Sequence, residues 1–112
     1  MKRLLLFSLF ATAACMPKGA PPPTTVNPKA VELAKAKDAN VTDEQLEHGR
    51  TLFVGKCGEC HDHPDLTAVR LSKWPGILKE MLHEAELDKD ATASADLSTF
   101  VLTAAEAAGA RQ

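Results

Sequence analysis

The sequence predicts a small all-α domain, and three observations predict it. Apolar residues recur at helical spacing in three stretches after residue 40, no stretch alternates polar with apolar as a half-buried strand does, and no hairpin turn signal occurs. At 112 residues the chain holds one small domain. Part of its 45% hydrophobic content lies in the first 14 residues and much of the remainder is alanine, so the core is thin. A thin core gains from a metal or cofactor at its centre, because it buries too little surface to offset chain entropy.

The first helix of the domain opens at Thr42, whose hydroxyl can cap it while Gln45 reaches back, and it continues through DEQLEHGRTLFVGK. Leu46, Gly49 and Phe53 share one face, and His48 lies on a polar face with Glu44 and Glu47. A glycine on a buried helix face costs about 1 kcal/mol against alanine, so another backbone is expected to cross close to Gly49. The second helix begins after Ser72 in KWPGILKEMLHEAEL, where Pro75 is tolerated in the first turn. Trp74, Ile77, Leu78, Met81 and Ala85 make one apolar stripe, with Lys79, Glu80, His83 and Glu86 on the other side. The third, residues 95–108, places Leu97, Phe100, Val101 and Ala104 on a common face.

Two segments precede this domain. Residues 1–14 combine the basic pair Lys2 and Arg3 with an apolar run too short to span a bilayer, which is the layout of an export signal. The run ends in TAAC, which resembles the lipobox of bacterial lipoproteins. That resemblance implies cleavage before Cys15 and lipidation of its thiol, and Thr12 departs from the aliphatic residue usual in the pattern. Residues 15–40, rich in proline and alanine, read as an extended tether with a short frayed helix at KAVELAKAKDA. Loss of the leader removes two basic residues and takes the net charge from −2 to −4. The acid is concentrated after residue 40, which excludes a nucleic-acid binder.

The stretch GKCGECHDHP carries the chemistry. Outside the cytoplasm two thiols so close together oxidise unless something occupies them. Cys57, Cys60 and His61 form the Cys-x-x-Cys-His signature for covalent haem: the thiols bond the two vinyl groups on one porphyrin edge and the adjacent histidine lies under the iron. A zinc site from Cys57, Cys60, His61 and His63 would need four ligands within seven residues to surround an ion tetrahedrally, with no second cysteine pair to help. A dithiol redox centre would want a β-α-β setting that the sequence lacks.

With GRTLF at residues 49–53, CGECH at 57–61, a helix bearing Trp74 and Met81 and a last helix bearing Phe100, residues 41–108 resemble a small class I, monohaem c-type cytochrome. The resemblance implies a cytochrome c-like helical domain, residues 41–112, wrapped around one covalently attached haem c. It also implies a crossing of the first and last helices at Gly49 against Phe100, and packing of Trp74 and Phe53 against the haem. Met81 is the expected sixth iron ligand, because it lies on the apolar stripe; His83 is the alternative, and an open or water-filled site the third possibility. His63 follows the proximal ligand by two residues, which reach about 7 Å, so it is read as a solvated loop residue.

Histidine with methionine ligation favours Fe(II) and leaves no position for a substrate, so the expected role is one-electron transfer rather than catalysis. The protein is expected on the periplasmic side of the cell envelope, lipid-anchored to the inner or outer membrane, with redox proteins bearing basic docking patches as partners. No small-molecule substrate is expected. The alternatives are a gas-binding or catalytic haem protein with an open sixth site, and a non-haem envelope lipoprotein with a scaffolding role.

Overall fold

A computed structural model describes residues 19–112; the expected leader and the expected lipidation site, Cys15, lie outside the described residues. Within them the chain forms α1 (Pro28–Lys37), α2 (Asp43–Lys56), a 3-10 turn (Leu71–Lys73), α3 (Trp74–Glu84) and α4 (Ala91–Ala107), with no strand. The all-α expectation holds for these residues.

Helix α2 begins as its sequence dictates. The Thr42 hydroxyl accepts the Gln45 N–H at 3.2 Å and the Gln45 side chain accepts the Thr42 N–H at 2.9 Å, a reciprocal capping box. Its buried face, Leu46, Gly49 and Phe53, lies against α4. The crossing is at Gly49. A Cβ there would stand 2.2 Å from the Asp96 carbonyl oxygen and 2.7 Å from the Phe100 Cβ, so only glycine lets the two backbones approach this closely. Beside the crossing, the buried Asp96 carboxylate lies 2.7 Å from His48 Nδ1. His48 thus reaches over to α4 rather than standing free on the polar face.

Helix α4 starts four residues earlier than its apolar pattern indicates. The cause is Asp90, whose side chain accepts the Ala93 N–H at 3.0 Å and caps a first turn of small residues. The helix ends at Gly109, with φ +94, where the Ala110 N–H returns to the Ala105 carbonyl at 2.9 Å. Beyond it the Arg111 carbonyl accepts the Leu71 N–H at 2.8 Å, pinning the C-terminus to the 3-10 turn. Trp74, Leu78, Leu97, Phe100 and Val101 fill the core between α3 and α4, together with Phe53.

The segment expected as an extended tether packs on this domain from Ala20 onward. Asn27 Oδ1 accepts the Lys29 N–H at 2.9 Å, Pro28 occupies the first turn, and α1 buries Ala30 and Ala34 against α4. Alanines bury little surface each, but their small size lets two helices approach closely. Lys37 pairs with Glu106, Arg50 Nη1 donates to the Pro23 carbonyl at 3.0 Å, and the Ala20 N–H donates to the His63 carbonyl at 2.9 Å.

Helix α3 ends in a tight reversal, with the Leu87 N–H on the Leu82 carbonyl at 2.9 Å and Glu86 in the left-handed region at φ 59. An L-residue there costs roughly 1–2 kcal/mol, and glycine removes that cost at some loss of chain entropy. Glu86→Gly is therefore expected to raise stability by up to about 1 kcal/mol, read as a higher urea midpoint at unchanged slope.

Candidate functional site

The end of α2 delivers the motif. Cys57 caps the helix with φ −72 and ψ −19, and the chain continues through a turn in which the Glu59 N–H reaches the Lys56 carbonyl at 3.3 Å. Cys57 is buried and Cys60 exposed. Burial pushes the Cys57 thiol above its ordinary value, so it stays protonated and slow to react with solvent oxidants.

Cys57, Cys60 and His61 line a cavity of about 440 Å³ together with Met81 of α3 and Ala85, which caps that helix. The four residues singled out for haem thioethers and axial ligation therefore share one space. Its volume lies in the range of about 300–1,000 Å³ typical of cofactor sites. Around it stand Glu59, Glu80, Glu84 and Glu86, opposed by Lys56 alone among the lining side chains.

The His61 Nδ1 lies 2.7 Å from the Asp62 carbonyl, which can only accept, so Nδ1 donates there and Nε2 is the nitrogen not engaged by that contact. The donor set thus fits haem c: two thiols, an imidazole with Nε2 left to face the cavity's contents, and a thioether lining the same cavity. Haem, when bound, supplies a one-electron couple at its iron.

His83 is not brought to this cavity. It is exposed, with Nδ1 2.9 Å from Asp88 Oδ2. The contact raises the His83 pKa above its ordinary 6.5 and lowers that of Asp88 below its ordinary 3.8, the hydrogen bond being the larger cause for both. The histidine contribution is present below pH 6.5 and fades as pH rises through the raised folded value. The aspartate contribution is present above pH 3.8 and fades as pH falls through the lowered value. The pair is therefore at full strength between those two ordinary values. Asp88→Asn is expected to return the His83 titration, followed by NMR, toward 6.5.

Three expectations need correction. His63 is not a solvated loop residue: it is half-buried, its Nε2 donates to the Val54 carbonyl at 2.9 Å, and its ring lies 5.3 Å from that of Phe53. That engagement takes it away from a zinc set, and among the described residues no three or more of His, Cys, Asp and Glu gather to ligate a metal ion. Trp74 and Phe53 do not line the cavity either. Both are buried in the core, where Trp74 Nε1 donates to the Leu66 carbonyl at 3.3 Å and Phe53 meets Phe100 with ring centroids 5.8 Å apart.

No known protein family, curated protein or solved structure matches this chain.

Proposed function

We propose that the chain is a monohaem c-type cytochrome that passes single electrons between redox proteins at the cell envelope. The observation that carries this reading is the convergence of Cys57, Cys60, His61 and Met81 on one cavity. Cys57 and Cys60 would hold the porphyrin through their thiols, and His61 Nε2 and the Met81 sulfur would ligate its iron, which would supply a one-electron couple. With both of those residues ligating, the iron would have no open position for a substrate, and the protein would act as a carrier. The glutamates around the cavity give the exposed edge a negative field, which suits brief docking with a basic partner and makes association slow as salt rises.

The same reading includes lipidation of Cys15 after export. With Ala20 hydrogen-bonded to the domain, the five residue-to-residue steps from Cys15 to Ala20 reach at most about 18 Å, so the domain would ride close to its membrane.

The test is expression with a c-type haem maturation system, followed by intact mass and absorption spectra. Covalent haem on the native chain, lost together with colour in a Cys57→Ala, Cys60→Ala variant, supports the proposal. A matured chain that is colourless, with its thiols free or bonded to each other, overturns it in favour of a scaffolding lipoprotein. A high-spin spectrum in the native chain overturns the carrier role in favour of an open sixth site.

A further inference from the structure

We propose that His63 is a positioning residue for the haem-attachment loop: its side chain clasps the loop back onto the last turn of α2, and Gly58 is the slot that admits the ring. What the loop holds rests on the haem reading above; the clasp itself rests on geometry.

The last carbonyls of a helix lack partners within it. Val54 is in the final turn of α2, and its carbonyl takes the His63 Nε2–H at 2.9 Å from nine residues further on. The carbonyl can only accept, so Nε2 carries the proton. The ring is tilted 53° against Phe53, which anchors it to the core. Behind it, the His63 carbonyl accepts the Ala20 N–H at 2.9 Å, so the residue is held through both side chain and backbone.

Gly58 faces this ring. A Cβ at Gly58 would stand 2.7 Å from His63 Cε1, 2.9 Å from His63 Nε2 and 2.9 Å from the Val54 oxygen. The first spacer of the Cys-x-x-Cys pair is therefore glycine because the clasp passes over it. His63 itself does not line the cavity, so it acts through the loop and not as a ligand.

The consequence is a loop closed at both ends. Cys57 is fixed as the cap of α2, and six residues later the chain is returned to the same helix turn. Between these points lie Cys60 and His61, the other two groups that must meet the porphyrin together. Closure removes conformations in which they diverge, which is preorganisation of the attachment site.

The experiment compares full-length native protein with His63→Leu, His63→Gln, Gly58→Ala, His63→Ala and the His63→Ala, Gly58→Ala double variant. Leucine packs on Phe53 without donating, whereas glutamine can donate to the Val54 carbonyl. Backbone amide exchange over residues 58–61 is expected to quicken about tenfold in His63→Leu and Gly58→Ala, the loss of one hydrogen bond, and to stay within about twofold of native in His63→Gln. Exchange in α2 and α4 away from the loop stays native, which a general loss of stability would not allow. In the double variant the alanine at 58 costs less than it does in Gly58→Ala alone, because the ring it would displace is gone and only the Val54 oxygen still crowds its Cβ. In the haem-loaded forms, the sulfur-to-iron band and the midpoint potential shift in His63→Leu and are restored in His63→Gln. Native loop exchange and native potential in His63→Leu would overturn the clasp while covalent haem in the same samples upholds the haem reading. Absence of haem from the native chain fails that reading, while the exchange comparison still judges the clasp.

Discussion

Gly49→Ala is expected to lower stability by about 2–3 kcal/mol, although alanine is the better helix former by about 1 kcal/mol. The reason is the identity of the obstructing atoms. At 2.2 Å from the Asp96 carbonyl oxygen and 2.7 Å from the Phe100 Cβ, the added methyl meets a backbone and the base of a side chain, neither of which can rotate away. Relief requires α2 and α4 to separate. That separation also stretches the His48–Asp96 contact of 2.7 Å one residue from the crossing and leaves a buried carboxylate short of its partner. Urea unfolding followed by circular dichroism measures the loss, and a domain this small has only about 5–15 kcal/mol to lose. A midpoint equal to or above that of the native protein would mean that the two helices are not in contact at Gly49.

This crossing was legible in the sequence because glycine on a buried helix face is a local contradiction that only a close neighbour resolves. The α2 cap was legible for a similar reason, since Thr42 and Gln45 satisfy each other within three residues. So were four members of the cavity: Cys57, Cys60 and His61 lie within five residues, and Met81 stands on an apolar stripe. What escaped the sequence is what joins distant segments through small or generic groups. The docking of α1 depends on the methyl groups of Ala30 and Ala34, which carry no signal of burial in a proline-rich stretch. Asp96 finds His48 across 48 residues, and periodicity is silent about such pairs. His63 finds a backbone carbonyl, a partner that no residue type encodes. Trp74 and Phe53 were assignable to the interior, but a thin apolar content does not say whether a large ring faces a cofactor or other side chains. Here other side chains surround both.

In the haem-loaded protein, Met81→Leu is expected to abolish the sulfur-to-iron band and lower the midpoint potential by on the order of 100 mV, because the thioether is the weak donor that favours Fe(II). Leucine is the informative replacement. Met81 is half-buried and packs against the core cluster as well as lining the cavity, so truncation to alanine would mix lost packing with lost ligation. Leucine keeps the apolar volume at a cost below about 1.5 kcal/mol and removes only the sulfur. A methionine that merely filled a gap in the core would leave spectrum and potential at their native values in this variant. His83→Ala supplies the complementary measurement. Its ring is exposed and engaged with Asp88 away from the cavity, so its loss is expected to leave both observables unchanged. A potential that falls with His83→Ala and holds with Met81→Leu would transfer the sixth position to the histidine and require the end of α3 to turn inward around the reversal at Glu86.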